Sequence, residues 1–509
     1  MKLKPRPIKK VLLILPPYTI PATMPKRVQP PLGLAYIAAF LMEKGYEVKI
    51  LDTLIEGFDH SVMATDDLIC YGLPVEDVVQ RVKDYQPDFV GISCLFTIQA
   101  KMAYRICEGI KNLNQDIIIA MGGAHPSAMT DEVLETGHVD FVVPGEGELT
   151  FYQLLQAIEY GVAIDTVGGV AFMRDGKLVK TCAAEYIKNL DELPFPARHL
   201  LPMEEYFKKD RPHGTATKFS RSTPIVTSRG CPAKCTFCSI HTVWGREYRG
   251  RSAQNVVAEL KHLKEVYNIK EIQIEDDNLT YSKPRAHEVL DAIIAADLGL
   301  SFTTPNGIAA WVLDRPLLEK LRKAGFYRLT IAVESGSPRV LHDLIRKPLR
   351  LEKVHEVVNI SKELGFELDT FFVVGFPGET KAEIQQTFDF ANSLNVDNAK
   401  FFIATPYPGT ELYKNAKEQG LLHKDFDIHN ANSFTRGQIS TPEWTAAELE
   451  SMVARASIKT QLNFFRRRPW NYFKSFVKDY FLKEPSAIFR YLKNNIISAL
   501  KVRSSKPAV

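Results

Sequence analysis

Through the first 160 residues, short apolar runs alternate with amphipathic stretches. "KKVLLILPP", "YEVKILD", "DFVGISC", "DIIIAMGG" and "DFVVPGE" have the length and hydrophobicity of five strands, and segments such as "LGLAYIAAFLMEKG", which stops on a glycine, have the spacing of helices. This alternation predicts an α/β unit, a parallel sheet with helices on both faces. Ligands of such folds sit at the carboxyl ends of strands, where "SCL", "GGAHPS" and "PGEGE" fall. Two alternating runs joined by Asp175-Gly176 then predict a hairpin, and the proline-rich "LDELPFPARHLLP" predicts a connection to a second domain.

From about residue 222 a second alternation begins, with strands expected at "TPIVTS", "EIQIED", "LSFTTP", "RLTIAVES", "LDTFFVVGF" and "AKFFIATP". Six βα units are fewer than a closed eight-stranded barrel needs, so a partial, open barrel is expected. Polar and glycine-bearing clusters recur at its strand ends: "EDDN", "PNG", "ESGS", "GFPGET" and "TPYPGT". A parallel barrel keeps its active site on that rim, so the clusters imply one site. The expected organisation is an N-terminal Rossmann-like domain over 1–165, a hairpin and linker over 166–221, the partial barrel over 222–415, and a helical region with a basic aromatic tail over 416–509.

Composition adds little to this picture except at the C-terminus. The chain has 509 residues, too many for one core, and an ordinary globular balance of 45% hydrophobic and 24% charged residues. Its seven cysteines are odd in number and scattered, which argues against a secreted disulfide scaffold. The N-terminal apolar run is too short for a signal peptide, so a cytoplasmic location is expected. The net charge of +4 comes from the tail: residues 460–509 hold eleven Lys plus Arg against two Asp plus Glu, leaving the preceding chain net acidic. Nucleic acid is therefore not an expected partner. The same tail holds ten aromatic residues. Rings interleaved with bases suit either peripheral contact with the inner face of a membrane or a helical cap packed on the barrel.

Three of the seven cysteines, Cys231, Cys235 and Cys238, lie in "RGCPAKCTFCS", spaced C-x3-C-x2-C with no fourth following. Buried hydrophobic thiols would not sit in so polar a segment. A structural zinc site would need His241 as fourth ligand, and a redox pair of Cys235 and Cys238 would leave Cys231 unexplained. An iron–sulfur cluster fits best: three thiolates hold three irons and leave the fourth open.

"CPAKCTFC", with an aromatic residue before its last cysteine and a strand upstream, resembles the signature of radical S-adenosylmethionine (SAM) enzymes. The resemblance implies a [4Fe-4S] cluster on Cys231, Cys235 and Cys238 as the catalytic metal group, with SAM on the open iron. It extends over about residues 222–415. "VVGFPGET" (Gly375, Pro377, Gly378, Glu379) is similar to the family's glycine-rich SAM-contacting strand, "IAVESGS" (Glu334, Ser335, Gly336) to its fourth-strand motif, and "IEDDN" (Glu275 to Asn278) lies at its second-strand end. With Phe237, the residues Glu275, Asp277, Glu334, Ser335, Gly375, Pro377 and Gly378 are the implied SAM contacts. Electron transfer into SAM releases a 5′-deoxyadenosyl radical that removes a substrate hydrogen, so the cofactor carries the hard chemistry.

A Rossmann-like domain ahead of such a barrel resembles the cobalamin-binding class of radical SAM enzymes. Corrinoid domains carry D-x-H-x-x-G, S-x-L and G-G in that order. This chain has Asp52-x-Leu54-x-x-Gly57, Ser93-x-Leu95 and Gly122-Gly123. Leu54 stands at the histidine position, so cobalamin is expected without a protein imidazole on its lower face. Ser93, Leu95, Gly122, Gly123, Gly145 and Gly147 are the implied contacts. His125 could offer a substitute ligand, although a histidine beside a proline is more often a turn residue.

The activity this implies is cobalamin-dependent C-methylation of an unactivated carbon on a small molecule, with a flavodoxin or ferredoxin as electron donor. A membrane-facing tail would point to a lipophilic substrate, a polycyclic lipid or a tetrapyrrole. The competing expectations are an oxidative cyclase like the anaerobic Mg-protoporphyrin monomethyl ester cyclase, a radical SAM enzyme without cobalamin, and a non-enzymatic iron–sulfur carrier or sensor. A methylthiotransferase is disfavoured, because Cys70, Cys94 and Cys107 lie on separate elements.

Overall fold

Strand Lys10–Leu15 buries five of its six side chains, as a strand covered on both faces must. The computed structural model to which it belongs describes residues 4–214, 217–467 and 469–470. Lys10–Leu15 pairs in parallel with Glu47–Asp52 on one side and Phe89–Ser93 on the other, and Ile118–Gly122 and Phe141–Val143 continue the sheet in parallel. The five strands therefore lie in the doubly wound order 2-1-3-4-5, whose direction of winding reverses between the first and third. Helix Leu32–Glu43, between the first two, ends at Gly45 in the left-handed region (φ 90°).

The Asp175-Gly176 hairpin joins Ala171–Arg174 to Lys177–Lys180. Ala171 pairs antiparallel with Val142, so the hairpin, grouped above with the 166–221 connection, forms the edge of the first sheet. A three-stranded antiparallel sheet of Tyr18–Pro21, Leu68–Tyr71 and Ser61–Met63 was not expected at all, its strands being too short to show a period.

The second domain is the expected partial barrel. Strands Ser222–Ile225, Glu271–Ile274, Ser301–Ile308, Phe326–Glu334, Glu367–Val374 and Asn398–Ile403 pair in parallel in chain order, and the first and last do not close on each other. Local sequence sets the helices between them. Ser252 caps Ala253–Tyr267 by accepting the Asn255 N–H, and Thr380 and Glu383 form a reciprocal capping box on Lys381–Ser393. One apolar core runs from the helices of the first sheet, through Tyr206 and Phe207 of the connection, into the barrel.

Helix Ala446–Arg467 packs on the last barrel strand. Ahead of it Trp444 is buried and donates its indole N–H to the Glu379 carbonyl, 2.8 Å away. Residue 468 and residues 471–509, most of the basic aromatic tail, lie outside the described residues. Among the described residues no helix is long and apolar enough to cross a membrane.

Candidate active site

The cysteine segment hangs from the end of the first barrel strand, and the second strand's end holds it there. Asp276 is buried and accepts the Thr227 N–H and both the Thr227 and Ser228 hydroxyls, each at 2.6 Å, so it braces the loop and is not a solvated rim charge. Asp277 Oδ2 accepts the Gly230 N–H at 3.1 Å. Burial pushes its carboxyl up to about 7 against that hydrogen bond. Asn278 turns its amide nitrogen to the Cys231 sulfur at 3.8 Å. Gly230 is required: its φ is +84°, and a Cβ would stand 2.2 Å from the Glu247 carbonyl oxygen.

Further along, Thr236 donates its N–H to Ile345 O and its hydroxyl to Leu344 O, and accepts the Leu412 N–H on its own carbonyl. Cys235 and Cys238 flank this anchored stretch. Burial pushes the Cys235 thiol up to about 12 and the Cys238 thiol up to about 11. Such thiols stay protonated unless cations displace the protons, as iron does.

The remaining strand ends converge on the same loop. Phe237 packs on Phe376 with ring centroids 5.9 Å apart, which places "GFPGET" against the cysteines. Gly375 has φ +93°, and its N–H and that of Phe376 are both accepted by Glu379 Oε2 (2.6 and 3.0 Å). Burial raises the Glu379 carboxyl to about 7 against those two bonds. Pro377 is half-buried and Gly378 exposed.

Glu334 sits past a register shift at φ +74°, a conformation costing a non-glycine residue about 1–3 kcal/mol and typical of functional sites. Its Oε1 accepts the buried Lys347 ammonium at 2.7 Å, and that ammonium lies over Trp311. Ser335, expected to touch SAM, is fully buried. Its hydroxyl lies 3.1 Å from Thr387 Oγ1 and accepts the Ser337 N–H, which braces the strand end.

On the first sheet, Ser93, Leu95, Gly122, Gly123, Gly145 and Gly147 gather at the carboxyl ends of the third, fourth and fifth strands. Gly123 has φ +111°, and a Cβ there would lie 2.5 Å from the Cys94 carbonyl oxygen. Leu95 and Phe96 are 42% and 54% exposed, large apolar side chains left open at the strand ends.

Leu54, by contrast, is buried in the core. Asp52 caps its short helix Thr53–Glu56 through the Leu54 and Ile55 N–H groups and takes the Tyr206 hydroxyl at 2.5 Å. Burial raises the Asp52 carboxyl to about 6 in spite of these bonds. His125 is also buried. Its Nε2 lies 2.7 Å from the Tyr104 hydroxyl and its Nδ1 3.3 Å from Thr97 Oγ1, so both ring nitrogens are occupied within the protein.

Residues 20–155 match the B12 binding domain and residues 225–391 the radical SAM superfamily. The cytidylyl-2-hydroxyethylphosphonate methyltransferase of Streptomyces wedmorensis is 35% identical over 480 residues, covering 88% of this chain and 89% of that protein. The chain belongs to the radical SAM enzymes that carry a B12-binding domain. The anaerobic magnesium-protoporphyrin IX monomethyl ester cyclase of Rubrivivax gelatinosus is 28% identical over 80% of this chain and 69% of its own. The cobalamin-dependent SAM radical enzyme OxsB, with aqua-cobalamin and SAM bound, shares the fold at a TM-score of 0.69 and 17% identity, over 96% of this chain and 72% of OxsB.

The cofactors of this radical SAM enzyme are accordingly a [4Fe-4S] cluster, SAM and cobalamin, and its side chains fit them. Cys231, Cys235 and Cys238 are free, partly buried thiols on one loop, and a four-iron cluster takes one thiolate per iron. Buried Glu275 Oε1, Asn278 Oδ1 and Glu379 Oε1 at the strand ends have no hydrogen-bond partner in the protein, as polar atoms do where a polar ligand completes the site. Exposed Leu95 and Phe96, beside a glycine corner with no room for a Cβ, suit a broad macrocycle laid on the strand ends.

Several residues of the site went unread in the sequence. Arg229, Glu146, Glu148 and Arg249 form a buried ionic cluster between the two domains, and buried Lys347 pairs with Glu334. Their partners are far away in sequence, so no local spacing marks them.

Proposed function

We propose that this enzyme is a cobalamin-dependent radical SAM C-methyltransferase acting on a small molecule. The observation that carries the reading is a juxtaposition. Helix His241–Trp244, which begins three residues after Cys238, packs against Ala124–Ala128, which follows Gly122-Gly123 directly, and a Cβ on Gly145 would lie 3.4 Å from the Val243 carbonyl. The candidate cluster loop and the candidate corrinoid edge thus share a wall, as a reaction needing both groups at one substrate requires.

In this reading Cys231, Cys235 and Cys238 hold three irons and leave the fourth for SAM. Glu275, Asp277 and Glu379 offer carboxylates for its ammonium group, and Glu334 and the turn Gly375–Gly378 line its far side, with Phe237 and Phe376 shielding the cluster from water. Gly122, Gly123, Gly145 and Gly147 let the backbone approach the corrinoid, with Ser93 and Leu95 at its edge. When bound, the cluster with SAM supplies a carbon-centred radical and the corrinoid supplies a methyl group.

The similarity to a named methyltransferase over most of both chains supports methyl transfer. The similarity to a cyclase supports a second reading with the same cofactors and no methyl transfer. Anaerobic reconstitution with iron, sulfide and hydroxocobalamin, followed by product mass analysis, separates them. A gain of one methylene's mass per turnover is expected, and a protein that takes up cluster but no corrinoid would remove the methyltransferase reading. We also propose that a flavodoxin or ferredoxin supplies the electron, that the enzyme works in the cytoplasm, and that its basic aromatic tail touches the inner face of the membrane. Liposome flotation with and without residues 460–509 tests the last point, and equal flotation of both forms would exclude it.

A further inference from the structure

Arg229 is the residue immediately before Gly230-Cys231, and it is buried. Its guanidinium reaches out of the barrel domain: Nη2 donates to Glu148 Oε1 at 2.6 Å and Nη1 to Glu146 Oε1 at 3.1 Å. Arg249, paired with Arg229 across a two-residue ladder, donates to both Glu146 oxygens at 2.8 and 3.0 Å. Tyr36 and Trp244 lie against the Arg229 guanidinium, with ring centroids 5.3 and 4.7 Å away.

Glu146 lies between Gly145 and Gly147 in the loop after the fifth strand of the first sheet, and Glu148 opens the next helix. The loop is tied in turn to the glycine corner: Ser127 donates its hydroxyl to the Gly123 carbonyl and accepts the Gly145 N–H at 3.0 Å. A continuous polar chain therefore runs from Gly123 through Ser127, Gly145, Glu146 and Arg229 to Gly230, whose N–H is held by Asp277.

Two buried arginines and two buried glutamates balance in charge, but such clusters add little stability compared with apolar side chains of the same volume. What they fix is geometry, because a guanidinium forked between two carboxylates tolerates neither a shift nor a rotation. We propose that Arg229, with Glu146 and Glu148, is a positioning device that sets the separation and orientation of the corrinoid edge relative to the cluster loop. This rests on the methyltransferase reading, in which both groups must meet one substrate carbon.

The test uses the full-length enzyme loaded with cluster and corrinoid, and reads the magnetic coupling between Co(II) and the reduced cluster by pulsed EPR, together with the methyl transferred per SAM cleaved. In Arg229→Met, and more mildly in Glu148→Gln, both groups should still bind. The coupling should broaden relative to wild type, and methylation per SAM cleaved should fall on the order of tenfold to a hundredfold. Arg229→Lys, which keeps the charge but not the fork, should lie between. Wild-type coupling in Arg229→Met with both groups bound would overturn the proposal, as would joint loss of fold and cofactors in both Arg229→Met and Glu148→Gln, which would make the cluster a support of the fold only. Failure of the wild-type protein to bind a corrinoid would instead remove the methyltransferase reading and the proposal with it.

Discussion

Asn278 turns its side-chain nitrogen to Cys231, 3.8 Å from the sulfur, while its side-chain oxygen Oδ1 is buried without a protein partner. A hydrogen bond to a cluster thiolate stabilises the more negative, reduced state and raises the reduction potential. Asn278→Ala should therefore bind iron as the wild type does but show a lower potential, by roughly some tens of millivolts. An EPR-monitored redox titration measures this. An unchanged midpoint would mean that Asn278 serves the strand end alone.

Each of Cys231→Ser, Cys235→Ser and Cys238→Ser should remove the iron–sulfur absorption and abolish SAM cleavage, because no other cysteine shares the loop. Corrinoid uptake should persist, since the glycine corner lies on the other sheet. Parallel iron and cobalt analysis of the three variants checks both halves, and joint loss of the two metals would mean that the domains do not load independently.

His429, in the turn Ile428–Asn430, docks the C-terminal segment on the first domain. Its Nε2 lies 2.9 Å from Glu132 and its Nδ1 3.3 Å from the Thr97 carbonyl, an arrangement that wants both nitrogens protonated. Burial opposes that charge, but Glu132, the Thr97 carbonyl and Asp427 outweigh it, and the His429 pKa is raised. The His429 hydrogen bond, working against burial, lowers the Glu132 pKa, and the Tyr104 hydroxyl also donates to that carboxylate. Burial holds neighbouring His125 down to about 4, so it stays neutral, and Lys101 pairs with Asp427 alongside.

A raised histidine stabilises the fold below its ordinary pKa and loses the effect as pH rises through its folded value. A lowered glutamate loses its share as pH falls through its own folded value. Docking should thus be tightest between the two and weaken on the alkaline side. His429→Gln should cost about 1 kcal/mol near neutral pH and flatten the alkaline loss. Hydrogen exchange over residues 421–440 across pH reads both effects, and an unchanged slope in the variant would count against the pair.

The barrel and the doubly wound sheet were legible because a parallel strand covered on both faces reads as one continuous apolar run, from "KVLLIL" to "FFVV". The cysteine loop was legible because its ligands lie within one turn of chain. What stayed hidden was pairing across distance. Nothing in "IEDDN" showed Asp276 closing on Thr227 and Ser228, nothing in "ESGS" showed Ser335 meeting Thr387, and Arg229 gave no sign of reaching Glu146 and Glu148. Side-chain direction at a strand end depends on neighbours that periodicity does not name.

Leu54 occupies the position where corrinoid domains carry a metal-binding histidine, yet it is 3% exposed and faces the core. Asp52 and Tyr206 fix the short helix that holds it there. Restoring the motif by Leu54→His should therefore not restore a ligand. The imidazole would have to enter an apolar site or unwind the helix, at a cost of about 2–4 kcal/mol. We expect a lower Tm and a Co(II) EPR spectrum without nitrogen superhyperfine splitting, in the variant as in the wild type. Nitrogen splitting in the variant alone would show that the helix opens readily to the corrinoid, whereas splitting in the wild type would point to the corrinoid's own benzimidazole base or to a different histidine, which the buried, doubly hydrogen-bonded ring of His125 is badly placed to supply.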